Sequence, residues 1–162
     1  MALIRVGMAE IKLGTPGDTL QALGLGSCIG LALVDRVSHV GGMAHIMLPD
    51  STLARNSNPL PGKFADTAVP SLLDEVLAAG AVRTRLVVKM AGGAEMFRFA
   101  GKDAPKLAIG SRNIEHVHEQ LNQNNLKLSA EDVGGSHGRT FEVELNELRF
   151  VIKVVGKPPS GL

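Results

Sequence analysis

Apolar residues in this chain fall into short runs, separated by polar segments or by segments rich in Gly and Pro. Short runs of this kind, bounded by turn residues, are typical of buried strands. The runs with this composition lie at 3–8, 29–35, 40–48, 85–90 and 126–133. Residues 140–145 and 148–155 flank Asn146-Glu147, with apolar side chains alternating at Phe141, Val143 and Leu145, which predicts a hairpin.

Two segments instead carry apolar residues at helical spacing. Between 66 and 79 the stripe consists of Ala68, Val69, Leu72, Leu73, Val76 and Leu77, and Gly80 follows as a stop signal. A second helix is expected after Ser111, with Ile114, Val117, His118 and Leu121 facing inward. Strands dominate and hairpins outnumber βαβ units. We therefore expect an α+β (mixed α/β) fold, with layered, antiparallel-rich mixed sheets and helices packed on one face.

The second and third apolar runs are joined by a short polar segment, which predicts a hairpin with a definite register. If Asp35 pairs with Val40, Gly30 lies directly opposite His45. Cys28 and His45 are then diagonal neighbours on one face of the sheet, roughly 7–8 Å apart at their Cβ atoms. Because a slip of one residue would separate them onto opposite faces, the pairing of thiol and imidazole depends on this register.

Length and charge exclude several classes of protein. The 162 residues predict a single domain over 1–157, with a flexible C-terminal tail at 158–162. Seventeen Lys and Arg against sixteen Asp and Glu give a net charge of +1, which favours neither nucleic acid nor a membrane surface as a partner. With no signal-peptide pattern and no long apolar stretch for membrane insertion, a cytoplasmic protein is expected.

Candidate chemistry is confined to few residues. One cysteine excludes an intramolecular disulfide and a Cys-rich zinc site, and no His, Asp and Glu cluster has ligand spacing, so we predict no metal. The glycine-rich segment 23–30 has neither the dinucleotide fingerprint nor the P-loop pattern, and we predict no cofactor. Its glycines bring the main chain close either to a ligand or to another segment.

Three interpretations of Cys28 in that segment stay open. Cys28 is either an inert, buried thiol in a tightly packed sheet or a nucleophile whose proton is carried by His45. In the second case backbone N–H groups of the turn containing Gly26 and Ser27 stabilise an oxyanion as the substrate approaches. A thiol redox switch is a third reading, which predicts rapid labelling of Cys28 without amide hydrolysis.

Several segments together closely resemble one family, the chemoreceptor glutamine deamidases (CheD). They are Gly24–Cys28, Gly42–Asp50, Pro61–Val69, Ala91–Phe97, Ile109–Asn113 and Glu131–Gly135, in this order over nearly the whole chain. The resemblance implies an enzyme, a protein-glutamine glutaminase that acts in bacterial chemotaxis by hydrolysing receptor glutamines to glutamate with release of ammonia. Cys28 and His45 match its nucleophile and base, and its fold is similar to the cytotoxic necrotizing factor type of cysteine deamidase.

The resemblance also implies partners and shows one departure. Expected partners are the cytoplasmic domains of methyl-accepting chemoreceptors, as substrate, and a CheC-type phosphatase of the response regulator. The family carries a threonine six residues before the cysteine, but here that position is Ala22, which has no hydrogen-bonding group. Either another group, such as a backbone carbonyl, orients His45, or activity is weakened. The alternative function is a non-catalytic regulatory binding partner of the phosphatase.

Overall fold

The structure, a computed structural model, describes residues 1–55, 59–96 and 108–162, and these form strands with two helices. The strands are β1 (Leu3–Arg5), β2 (Ile11–Gly14), β3 (Thr19–Leu25), β4 (Ile29–Asp35), β5 (Gly41–Ile46), β6 (Leu86–Gly92), β7 (Ala130–Val133), β8 (Arg139–Glu144), β9 (Arg149–Lys153) and β10 (Ser160–Gly161). The helices are α1 (Ala65–Ala78) and α2 (Ile109–Gln123).

The strands form two five-stranded sheets. The central sheet has the order β2-β5-β4-β6-β7, and the outer sheet has the order β1-β3-β8-β9-β10. The pairs β1–β3 and β6–β7 are parallel and the other pairs are antiparallel, so both sheets are mixed. Together with the two helices, this arrangement confirms the α+β fold class.

Two hydrophobic cores lie on the two faces of the central sheet. A helix-side core joins one face to α1 and α2, and its members include Leu31, Leu33, Ala44, Leu72 and Val117. An inter-sheet core joins the other face to the outer sheet, and its members include Ala32, Val34, Met43, Phe141 and Ile152. The helices therefore pack on one face, as expected. Because β4 is covered on both faces, all its residues are buried, which explains its continuous apolar sequence.

The hairpin of β4 and β5 has the register that the sequence predicts. The Asp35 N–H donates to the Val40 carbonyl over 2.9 Å, and Gly30 pairs with His45. The ladder continues to Ile29 opposite Ile46, where it ends. Cys28 and His45 therefore lie on the same face, the one that meets the outer sheet, because side chains two positions apart point the same way.

Strands β2 and β3 were not predicted from the sequence. In β3 Leu20 and Ala22 of the inter-sheet core alternate with Gln21, which is also buried, and with the exposed Leu23, and the register against β8 shifts between Ala22 and Leu25. Gly24 at this irregularity has a φ of +58°. Because a glycine and an exposed leucine lie inside this strand, its sequence does not show the alternation of apolar and polar residues that predicts a strand.

Helix α2 begins at Ile109, two residues before Ser111, and one of its side chains faces differently from the prediction. His118 was expected to face inward, but its side chain is 40% exposed and its Nε2 lies 2.5 Å from Glu131 Oε2. The C-terminal residues 158–162, for which the sequence predicts a flexible tail, include β10, which pairs with β9.

Part of one resembling segment, Phe97, falls outside the described residues. Across the described residues, no helix combines the length and apolar character needed to cross a membrane.

Candidate active site

His45 lies in β5, and its main chain forms hydrogen bonds with the main chain of residues 9 and 10. Its N–H donates to the Glu10 carbonyl over 3.0 Å, and its carbonyl accepts from the Ala9 N–H over 2.9 Å. The residue is 4% exposed. Gly30, directly opposite in β4, has no side chain, and the atoms nearest to the place where its Cβ would stand belong to Leu25, Phe141 and Ala22. These two main-chain hydrogen bonds therefore fix the backbone of His45 independently of the contacts of its side chain.

The imidazole of His45 is oriented by a backbone carbonyl. Its Nδ1 lies 2.9 Å from the carbonyl oxygen of Val6. A carbonyl only accepts hydrogen bonds, so Nδ1 carries the proton in the neutral ring and Nε2 is left with its lone pair. Within the described residues Nε2 makes no hydrogen bond, which leaves it available as a base.

Ala22 lies in the same inter-sheet core but contributes no polar atom to the site. It is fully buried, and its Cβ is 3.5 Å from the position that a Cβ on Gly30 would occupy. The threonine of the resembling family would thus stand close to the residue that faces His45. In this chain the Val6 carbonyl, and not residue 22, makes the hydrogen bond with Nδ1 of His45.

Cys28 occupies the loop between β3 and β4, one residue before the hairpin ladder begins. It is a free, partly buried thiol that packs against the inter-sheet core, on the face that carries His45. Burial raises the pKa of the Cys28 thiol above its usual value. The resting group is therefore a neutral thiol at neutral pH, and it needs a base to become a nucleophile.

The loop 26–28 binds its surroundings through its carbonyls. The Gly26 carbonyl accepts from the Ala94 N–H over 2.8 Å, and the Cys28 carbonyl accepts from the Gly93 N–H over 2.9 Å. The Ser27 carbonyl accepts from Nδ2 of a side chain in α2 over 2.8 Å. In contrast, the N–H groups of Ser27 and Cys28 donate no hydrogen bond to the described parts of the chain. As far as the described residues go, two adjacent N–H donors are thus left for an anionic oxygen.

The side chain in α2 is Asn113, a residue to which the sequence assigned no role. Asn113 is fully buried, and its Nδ2 also donates to the Met47 carbonyl over 2.9 Å. Its position within one of the segments that resemble the CheD family was the only indication in the sequence that it matters for the site. Nothing in the local pattern of a helix indicates which distant carbonyls an asparagine will reach.

The register and the chain path place the four predicted site residues at one end of the β4–β5 hairpin. Cys28 and His45 share a face across the end of the hairpin, and Gly26 and Ser27 form the loop that leads into Cys28. Among the other histidines, His116 and His118 lie in α2, and His137 lies in the loop before β8.

A family model described as CheD chemotactic sensory transduction matches residues 47–154, two thirds of the chain. The chain belongs to the CheD family. The matched range begins two residues after His45, but full-length CheD relatives also align with the segment that holds the site residues.

Curated CheD relatives share nearly half of their residues with this chain. "Chemoreceptor glutamine deamidase CheD" of Halalkalibacterium halodurans is 46% identical, with 94% of each chain covered. The protein of the same name from Bacillus subtilis is 41% identical over 94% of this chain and 92% of its own. "Probable chemoreceptor glutamine deamidase CheD" of Symbiobacterium thermophilum is 44% identical over 94% of this chain and 92% of its own.

Proposed function

We propose that this protein is a chemoreceptor glutamine deamidase that hydrolyses glutamine side chains through a Cys28 thioester, with His45 as general base and acid. The observation that carries the proposal is the contact between His45 Nδ1 and the Val6 carbonyl, because it leaves Nε2 unprotonated on the face that Cys28 shares. The names of the CheD relatives supply the substrate class.

The first half of the reaction forms the thioester. His45 Nε2 takes the thiol proton as Cys28 Sγ attacks the carboxamide carbon, and the new C–S bond leaves a tetrahedral oxyanion. The N–H groups of Ser27 and Cys28, which bond to none of the described residues, are suited to bind this oxygen, and Gly26 is proposed to let the substrate approach the main chain. The C–N bond then breaks, and the leaving nitrogen takes the proton from His45 and departs as ammonia.

The second half regenerates the enzyme. A water molecule attacks the thioester carbonyl while His45 Nε2 accepts its proton. The C–S bond breaks, the product is the glutamate carboxylic acid, and the proton on His45 returns to the Cys28 sulfur. The raised pKa of Cys28 is compatible with this scheme, because the thiolate forms only as the base acts and is not a resting ion pair.

Purified chemoreceptor cytoplasmic domain is the substrate for the test. Ammonia release and the intact mass of the receptor are measured with the parent protein, Cys28→Ala, His45→Ala and the matched control His118→Ala, in which the lost imidazole lies on α2. We expect no turnover for Cys28→Ala, a kcat lowered by about 10²–10⁴-fold for His45→Ala, and unchanged turnover for His118→Ala. Binding of the receptor by the parent protein without ammonia release would refute the enzyme, and turnover by Cys28→Ala would refute the nucleophile.

The resemblance also leads us to propose a CheC-type phosphatase as partner and the cytoplasm as the site of action, where the receptor domains lie. The alternative is a purely regulatory binding protein, which the lack of a hydrogen-bonding side chain at position 22 favours. The contact of His45 Nδ1 with the Val6 carbonyl argues against it, because it orients the imidazole without residue 22. A Cys28→Ala variant that still binds the phosphatase separates the two roles.

A further inference from the structure

Asn113 makes a pair of hydrogen bonds that fixes the orientation of its amide. Both partners, the carbonyls of Ser27 and Met47, accept hydrogen bonds only, so Nδ2 must face them. The amide oxygen is left buried, and it accepts no hydrogen bond from the described residues. Asn113 therefore uses both donors of its side chain on the main chain, at the cost of an unpaired acceptor.

The two carbonyls lie just beyond the end of the hairpin ladder. The last pair of that ladder is Ile29 opposite Ile46, so Ser27 and Met47 extend past it on the two strands. Cys28 stands between the last ladder pair and the contact of Asn113 with Ser27. The amide thus links the two strands where their own pairing has stopped, one residue from the nucleophile.

Helix α2 gives Asn113 a rigid support. A Cβ on Gly110, in the first turn, would lie 2.5 Å from the Ala94 carbonyl oxygen, which shows how closely the helix meets that segment. Glu95 also accepts from the Ser111 N–H over 2.7 Å. Since the Ala94 N–H binds the Gly26 carbonyl, the start of α2 and the loop before Cys28 are held against a common segment.

We infer that Asn113 is a positioning residue for the reaction, whose buried amide fixes the main chain next to Cys28 relative to the strand that carries His45. The inference rests on the proposed function. Asn113 acts through the main chain of Ser27 and Met47 and is not assigned a contact with substrate. Its loss frees the loop relative to the base, and a displacement of about 1 Å costs on the order of 10²-fold in rate.

The test compares Asn113→Ala with the matched control Asn124→Ala. Asn124, at the other end of α2, also donates from Nδ2 to a carbonyl, that of Gln120, over 2.8 Å. With chemoreceptor cytoplasmic domain as substrate, we expect kcat to fall about 10²-fold for Asn113→Ala with KM changed by less than about threefold. The control is expected to retain the parent kcat. A kcat for Asn113→Ala within about threefold of the control would overturn the inference.

Alkylation of Cys28 provides a second readout that loss of stability alone does not move. Because Cys28 is the one cysteine in the chain, iodoacetamide incorporation reports that thiol directly. The pH profile of Asn113→Ala is expected to match that of His45→Ala, since the base no longer reaches the thiol. A profile identical to that of the parent protein would overturn the positioning role, and this comparison holds even if the parent protein fails to deamidate the receptor.

An aspartate variant keeps the test decisive if Asn113→Ala does not fold. In Asn113→Asp the ionised carboxylate donates nothing, whereas the protonated acid donates one hydrogen bond. The activity of Asn113→Asp relative to the parent protein is therefore expected to recover as the pH falls. A ratio that stays constant over the pH range of both proteins would contradict the donor role.

Discussion

Gly92 packs against the main chain of Cys28, and adding a methyl group there should lower both the stability of the protein and its rate of catalysis. The residue ends β6 with a φ of +117°, and a Cβ built on it would lie 2.1 Å from the Cys28 carbonyl oxygen. Both atoms belong to or are attached directly to main chain, so no flexible side chain can relieve the contact. In Gly92→Ala the carbonyl of Cys28 must therefore move by about 1 Å, a shift of the size that costs roughly 10²-fold in rate.

The structure also separates the two costs of this substitution. An alanine in the left-handed region costs about 1–3 kcal/mol of stability, and weakening the hydrogen bond from Gly93 to Cys28 adds about 1 kcal/mol. Gly80, after α1, has a φ of +110° and nothing within 4 Å of its added Cβ. Gly80→Ala therefore carries the backbone strain alone.

Urea unfolding and receptor deamidation are measured on both variants. We expect both to lose stability, with Gly92→Ala losing about 1 kcal/mol more. Only Gly92→Ala should lose kcat, by about 10²-fold, or roughly 3 kcal/mol in activation free energy. Equal kcat values for the two variants would refute the reasoning, because they would show that the position of the Cys28 carbonyl is irrelevant to the reaction.

Two further predictions concern ionisable groups. Burial raises the pKa of Cys28, so the folded protein should lose stability as the pH rises past the usual thiol range, where the unfolded chain has already released its proton; urea unfolding at increasing pH should show this loss, and its persistence in Cys28→Ser would contradict the assignment. Burial opposes ionisation of Asp35, but hydrogen bonds from Arg85 and from backbone N–H groups outweigh it and hold the pKa of the carboxyl well below its usual range. The stability that this group contributes is present above the usual Asp pKa and is lost as the pH falls through the lowered value. Asp35→Asn should lower the free energy of unfolding by about 3 kcal/mol in urea at neutral pH. A loss below about 1 kcal/mol would contradict this role of Asp35.

The local sequence pattern was sufficient to predict those features that depend on residues close together in the chain. The register of β4 against β5 follows from a short connection and from the need to bury both strands, and it placed Cys28 and His45 on one face. The stripe that begins at Ala68 likewise predicted α1 to within one residue at each end. These elements depend on contacts across few residues.

Contacts between distant segments could not be read from the sequence. The donor of Asn113 reaches a carbonyl 86 residues away, and the ring of His45 reaches one 39 residues away. Every residue has the same main-chain carbonyl whatever its side chain, so the sequence does not show which carbonyls act as these acceptors. Strand β3 was not predicted for a related reason. Its pairing with β8 contains an irregularity between Ala22 and Leu25, and the sequence of that part of the strand resembles a turn.

The carbonyl that orients His45 belongs to the N-terminal segment, and this has a consequence for how the protein is handled. Val6 follows β1, which pairs with β3, and its N–H donates to the Gln21 carbonyl over 2.8 Å. Any amino acid at position 6 presents the same oxygen, so scanning mutagenesis of side chains passes over it. Deleting the first six residues, or fusing a tag that pulls β1 from β3, removes it. Such a preparation would lose the tautomer of His45 while every catalytic side chain is still in place.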